Sequence, residues 1–338
     1  MSETPSHNAV SPQLTDSFGR EHTYLRISLT ERCNLRCTYC MPAEGVDLKP
    51  RDHILSFEEI MRLAELLVAH GVTKIRLTGG EPLIRKELVQ LVERIAQLDG
   101  LKELTITTNG LLLPRKLADL QQAGVTGFNI SLDTLREDRF KEITRRPGLE
   151  TVLEAIRMTV EAGYNPVKVN CVVIRGFNED ELVDFVAMTR ELPIEMRFIE
   201  YMPFDGNSWN TADFLPYREM VDLIKERRPD FEADGGDDLE IAKLWQVPGY
   251  RGKVGFISSM SDHFCAGCNR IRITADGKLK VCLFGSNEIN LRDMMRGGIN
   301  DERLLQTVQS ALSRKAASHA GMKVLAESDN RPMILIGG

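Results

Sequence analysis

The sequence predicts an α/β fold built on parallel strands, and three observations carry that prediction. Six short runs of apolar and β-branched residues alternate with stretches of helical period, most of those runs end in polar or glycine-rich segments, and a hairpin signal enters only late in the chain. The strand runs are Tyr24–Thr30, Lys74–Thr78, Glu103–Thr108, Gly127–Leu132, Val167–Ile174 and Glu195–Met202. Helical stretches fall near 56–69, 86–98, 114–123, 149–162, 179–191 and 217–228, and Ser56 followed by Glu59 makes a capping box for the first. Repeated strand-helix units imply parallel strands joined by right-handed crossovers.

Residues 1–17 are polar, contain no Arg or Lys, and read as a disordered lead-in rather than an Arg-rich import peptide. The core domain is expected over 18–245. Its rhythm fades after residue 204, where Asp234-Gly235-Gly236-Asp237-Asp238 reads as an exposed turn. An appendage over 246–338 follows: a strand at Lys253–Ser258, a hairpin over Arg270–Leu283 turning at Asp276-Gly277, and a helix over 301–316.

At 338 residues, with 42% hydrophobic and 27% charged residues, the chain can bury a substantial core, and no apolar run is long enough to cross a bilayer. No membrane role is expected. A formal charge of −6 argues against a general nucleic-acid binder, so an anionic ligand would need a local group of cations. Three of the seven cysteines lie near residue 35, three between 265 and 282, and Cys171 alone in a β-branched run, where it reads as a small buried hydrophobe. This grouping suits metal ligation in a reducing compartment, and a cytoplasmic protein is expected.

Ligands of such sheets bind at the carboxyl ends of the strands. The first strand run leads into Cys33-Asn34-Leu35-Arg36-Cys37-Thr38-Tyr39-Cys40. Three close thiols can hold three irons of a cubane and leave the fourth open to a small chelating molecule; a zinc site and reduced surface thiols are the alternatives. The later strands end in Gly79-Gly80-Glu81-Pro82, Thr107-Thr108-Asn109-Gly110, Ser131-Leu132-Asp133 and Tyr201-Met202-Pro203, which collect polar residues on the same rim. Cys265-Ala266-Gly267-Cys268 with Cys282 forms a second trio, for which zinc with His263 as fourth ligand and an iron–sulfur cluster are both open. The other histidines, His7, His22, His53, His70 and His319, form no readable constellation. Arg76 and Lys168 interrupt apolar strands, where an unpartnered charge would be costly, so they and Arg26, Arg270 and Arg272 are candidates for holding an anion.

Cys-x3-Cys-x2-Cys with an aromatic before the last cysteine resembles the signature of the radical S-adenosylmethionine (SAM) enzymes. With both trios, the whole pattern from Phe18 onward is similar to the two-cluster GTP 3′,8-cyclase family of molybdenum cofactor biosynthesis. The resemblance implies a partial (β/α)6 TIM-type barrel whose opening is closed by the C-terminal antiparallel and helical appendage. It implies two [4Fe-4S] clusters, on Cys33, Cys37 and Cys40 and on Cys265, Cys268 and Cys282, with SAM at the first and GTP at the second. By the same resemblance Tyr39, Gly80, Ser131 and Met202 line the SAM pocket; Arg26, Arg76, Thr107, Lys168, Arg270 and Arg272 contact GTP, with Arg270 and Arg272 also catalytic. The implied reaction starts with a 5′-deoxyadenosyl radical that takes hydrogen from ribose C3′, after which C3′ joins C8 of guanine. An external electron donor, cyclic pyranopterin monophosphate synthase as the next enzyme, and a homodimer are further implications. Gly337-Gly338 would reach into the cavity. The rival readings are a radical SAM peptide-modifying enzyme with an auxiliary cluster, which would commonly carry more C-terminal cysteines, and a non-catalytic zinc or iron–sulfur binding module.

Overall fold

The computed structural model describes residues 14–235, 241–328 and 330–337. Most of the expected lead-in, part of the acidic turn at 234–238, and Gly338 lie outside the described residues. Leu14 and Asp16, which fall inside the lead-in, are buried.

Among the described residues one twelve-stranded sheet carries the fold. Its strands are β1 (Tyr24–Ser28), β2 (Lys74–Thr78), β3 (Glu103–Thr108), β4 (Gly127–Ser131), β5 (Val167–Val173), β6 (Ile194–Glu200), β7 (Glu232–Ala233), β8 (Lys243–Gln246), β9 (Lys253–Ile257), β10 (Arg270–Ile273), β11 (Lys278–Lys280) and β12 (Ile289–Asn290). The order is β12-β11-β10-β1-β2-β3-β4-β5-β6-β9-β8-β7, so the sheet has two free ends and the barrel is open. All six expected core strands form, and they pair in parallel. The later strands are antiparallel only at the margins. β10 lies parallel to β1 and β9 parallel to β6, so the C-terminal region extends the core sheet at both ends before β11, β12, β8 and β7 turn back.

The helices are α1 (Phe57–Val68), α2 (Leu88–Ala96), α3 (Leu117–Gln122), α4 (Glu137–Thr144), α5 (Leu149–Glu161), α6 (Leu182–Met188), α7 (Tyr217–Arg227), α8 (Leu291–Arg296), α9 (Asp301–Ser313), α10 (Met322–Ala326) and α11 (Met333–Ile336). The capping box at Ser56 and Glu59 is present, satisfying two otherwise orphaned N–H groups at the start of α1. Strands alternate their faces. Leu25, Ile27, Ile75, Leu77, Leu104, Ile106, Phe128 and Ile130 are all 1% exposed or less and pack in the apolar core with residues of α1, α2 and α5. The intervening positions are polar, among them Arg26, Arg76, Thr107, Asn129 and Lys168. A strand face carrying those residues demands polar company, so that side of the sheet is where a polar ligand is to be sought.

Candidate active site

The first cysteine loop leaves the carboxyl end of β1 and is clamped from two sides. From the β2 side, Gly80 N–H donates to the Thr30 carbonyl at 2.7 Å and Glu81 N–H to the Arg32 carbonyl at 2.8 Å. From the other, the N–H groups of Arg36 and Thr38 donate to the Thr144 and Ile143 carbonyls at the end of α4, both at 2.9 Å, and the Arg145 guanidinium holds the Arg36 carbonyl at 2.7 Å. A Cβ at position 80 would stand 2.3 Å from the Arg32 carbonyl oxygen. Glycine is thus required there by two protein backbones running against each other, in addition to any ligand.

The three thiols of this loop sit in an apolar, anionic neighbourhood. Burial pushes up the thiols of Cys33, Cys37 and Cys40, and the nearby Asp133 carboxylate raises Cys37 and Cys40 further. Tyr39 donates its hydroxyl to Asp133 at 2.8 Å, and burial brings that carboxyl up to about 6 although Val172 N–H and Tyr39 hydrogen-bond to it. Glu81 is buried as well; it accepts from Thr108 Oγ1 at 2.8 Å and Asn109 N–H at 2.7 Å, tying the ends of β2 and β3 together. Asn109 in turn donates to Asn34 at 2.8 Å, on the cysteine loop.

The second trio lies in a cationic neighbourhood. Cys265 begins a single turn over residues 265–267, and Cys268 N–H donates back to its carbonyl at 3.2 Å. Burial alone would raise the Cys268 thiol, but Arg270 and Lys315 outweigh it and bring it down to about 6. Lys315 Nζ is 3.3 Å from Cys268 Sγ, and Arg270 Nη2 is 3.7 Å from it. Among the described residues no three His, Cys, Asp or Glu converge as a site for a single metal ion, and His263 packs its ring on His319 at 5.1 Å. Thiolates around a cubane each bind a different iron and stand wider apart than ligands of one ion, so the lack of a convergent single-ion set among the described residues fits a cluster better than a zinc ion.

Between the two loops runs a row of cations. In strand register Arg272 faces Arg26, Arg26 faces Arg76, and Arg76 faces Thr105. Arg76, Arg270 and Arg272 are 4%, 7% and 3% exposed, and the Nε atoms of Arg270 and Arg272 have no partner among the described residues. Burial, aided by the repulsion of Arg26 and Arg270, brings the Arg272 guanidinium down to about 9. A second row crosses β3, β4 and β5, where Thr107 faces Asn129 and Asn129 faces Lys168. Thr107 Oγ1 and Asn129 Nδ2 are buried without partners among the described residues. Buried cations and open polar atoms of this kind suit a polyanionic, hydrogen-bonding ligand.

The radical SAM superfamily model matches residues 27–189, and the Molybdenum Cofactor Synthesis C model matches residues 194–321. Molybdenum cofactor biosynthesis protein 1 of Mus musculus is 57% identical over 96% of this chain and 51% of its own length. GTP 3′,8-cyclase, mitochondrial, of Arabidopsis thaliana is 54% identical over 98% of this chain and 85% of its own. GTP 3′,8-cyclase of Moorella thermoacetica is 45% identical over 90% and 95%. The chain belongs to the radical SAM superfamily, in its molybdenum cofactor synthesis family. It spans about half the length of the animal relatives. In fold it resembles Streptococcus suis SuiB bound to S-adenosylmethionine, with a TM-score of 0.59 at 16% identity over 86% of this chain and 69% of that one.

Within this radical SAM fold the structure brings Tyr39 and Gly80 against the first trio, and places Ser131 at the rim end of β4. Met202 stands one packing group away, with Phe214, Met260 and Leu325, and Trp209 touches both groups. Sequence reasoning passed over Tyr24, Asn129, Asn170 and Arg197, although each shares the alternating polar face with Arg26, Ser131 and Lys168. It also passed over His22, which meets Lys315 at 2.8 Å beside the second trio.

Proposed function

We propose that this chain converts GTP to (8S)-3′,8-cyclo-7,8-dihydroguanosine 5′-triphosphate, the first step of molybdenum cofactor synthesis. The observation that carries this reading is the buried arginine row between two all-thiol loops, since few metabolites other than a nucleoside triphosphate would satisfy so many converging cations. Two [4Fe-4S] clusters and SAM are the cofactors, and together the first cluster and SAM supply a carbon radical for hydrogen abstraction.

The chain's own residues bind, orient and shield. Cys33, Cys37 and Cys40 hold the first cluster, and Tyr39, Gly80, Ser131 and Met202 line the SAM site. Cys265, Cys268 and Cys282 hold the second cluster beside Arg270 and Arg272. Arg26, Arg76, Thr107 and Lys168 receive the rest of GTP, and a substrate fixed at both ends presents its ribose in one orientation. Gly337 supports this closure. Its carbonyl accepts from Thr78 Oγ1 at 3.3 Å, and a Cβ there would lie 2.7 Å from Ser28 Cβ, so the last turn of the chain reaches between β1 and β2.

An external donor supplies the electron, cyclic pyranopterin monophosphate synthase takes the product, and the enzyme works as a homodimer in the cytoplasm. No described helix is long and apolar enough to cross a membrane. The test is anaerobic purification with iron and sulfide analysis, then incubation with GTP, SAM and dithionite. Cluster iron, 5′-deoxyadenosine and a cyclised nucleotide are expected. Zinc without sulfide, or SAM cleavage with GTP left intact, would overturn the reading.

A further inference from the structure

Lys315 follows α9 and is 5% exposed, yet no carboxylate among the described residues pairs with it. Its ammonium donates to His22 Nε2 at 2.8 Å and Cys268 Sγ at 3.3 Å, with the carbonyls of Cys268 and Arg270 at 3.4 Å. These partners use all three donors, so Lys315 has none to offer a phosphate. Arg270 and Arg272 differ, since each keeps an unpartnered Nε.

A buried ammonium is costly without an anion, and among the described residues Cys268 is the one anion-forming group it touches. The surrounding chain holds it there. Arg20 donates to the carbonyls of Cys265 at 2.7 Å, Ala317 at 2.9 Å and Ala316 at 2.9 Å, and Asp16 fixes Arg20 at 2.6 Å. The segment from Leu14 to His22 therefore clasps the second cysteine loop to the end of α9, with His22 accepting from Lys315 at the centre.

From this arrangement we infer that Lys315 is a positioning residue of the second cluster, whose fixed charge on Cys268 makes that cluster easier to reduce than its thiolates alone would allow. Hydrogen bonds and positive charge at a ligating sulfur stabilise the more negative, reduced state. The inference rests on the reading that Cys265, Cys268 and Cys282 hold a cluster.

The full chain is reconstituted as wild type, Lys315→Met, Lys315→Gln and Lys315→Arg, and both clusters are titrated by EPR, the first being identified by its response to SAM. In a neutral variant with full iron and sulfide, the second midpoint potential should move negative while the first stays put, and Arg should restore it. The Gln amide keeps a donor and supports the loop should Met disturb it. Loss of second-cluster iron from both neutral variants, with retention in Arg, also supports the inference, because charge is then what keeps Cys268 ligated. An unmoved second potential in a loaded neutral variant overturns it, as does an equal shift of both clusters or loss of iron from the Arg variant too. Wild-type protein holding zinc without sulfide would instead refute the underlying cluster reading.

Discussion

Cys37 and Cys40 face the Asp133 carboxylate, whereas Cys268 faces Arg270 and Lys315. Burial acts on both loops in the same direction, so the difference lies in the neighbouring charges. A carboxylate beside thiolate ligands disfavours further negative charge and would make a cluster held there a stronger electron donor, which suits the SAM reduction proposed for that site. Cations beside thiolates favour negative charge, which suits the triphosphate proposed for that site. Two trios of thiols with different spacings are thus given opposite electrostatic surroundings, by Asp133 at the first and by Arg270 and Lys315 at the second.

The comparison breaks most severely if the first loop is not the source of radicals. Replacing Cys33, Cys37 or Cys40 by Ser should bring 5′-deoxyadenosine formation after dithionite reduction down to background. Undiminished yield in all three variants would remove the division altogether.

Next in size, Cys282→Ala should abolish GTP cyclisation yet leave reductive SAM cleavage running as an uncoupled reaction. GTP binding should weaken by roughly 1.5–3 kcal/mol, on the scale of a lost contact to a charged group. Titration calorimetry and 5′-deoxyadenosine assays on one preparation check both halves. SAM cleavage lost with the first cluster spectroscopically intact would show that the loops do not act separately.

The six core strands and both cysteine trios were legible because apolar periodicity and thiol spacing are local signals. The helix α4 was not. Glu137–Thr144 buries only Phe140, Ile143 and Thr144, too sparse an apolar stripe to stand out, yet its last turn clamps the first cysteine loop. Asn129 and Asn170 share the alternating polar face with Ser131 and Lys168, but an uncharged amide in a strand attracts no notice until its partners are counted. Lys315 reaches Cys268 across 47 residues and His22 across 293, distances at which sequence pattern is silent. The parallel placement of β9 and β10 was hidden for the same reason, since strand pairing between distant segments leaves no local mark.

A smaller effect is expected where the last described turn reaches the carboxyl ends of β1 and β2. Gly337 has φ +83° and meets Ser28 and Thr78. Gly337→Ala would add the roughly 1–2 kcal/mol that a left-handed L-residue costs to a direct overlap. Cyclisation should fall about tenfold, in line with about 1.4 kcal/mol of lost positioning. Iron content and SAM binding should stay as in the wild type. Full turnover by the variant would mean that the tail does not reach the substrate.

The last effect, nil at pH 6 and growing with pH, isolates the cationic side of the comparison. Tyr24 stacks under Arg26, Lys74 and Arg76 at 5.6, 5.4 and 5.4 Å from its ring centre. Burial alone would raise the phenol, but Arg26 and Arg76 outweigh it and bring it down to about 7. Burial, with Arg197 nearby, brings Lys168 down to about 8. A triphosphate competes with the Tyr24 phenolate for the same guanidinium groups and needs Lys168 charged. Both groups therefore favour binding in their protonated forms, and affinity present below pH 7 should be lost as pH rises. If GTP binds only the neutral phenol, the loss due to Tyr24 is about tenfold by pH 8. Tyr24→Phe should match the wild type at pH 6 and hold its affinity until Lys168 titrates, about one unit higher. Titration of GTP's own phosphate is common to both proteins and cancels in the ratio of their dissociation constants. A ratio that stays flat from pH 6 to 9 would mean that Tyr24 remains neutral and that the arginine row answers to the substrate alone.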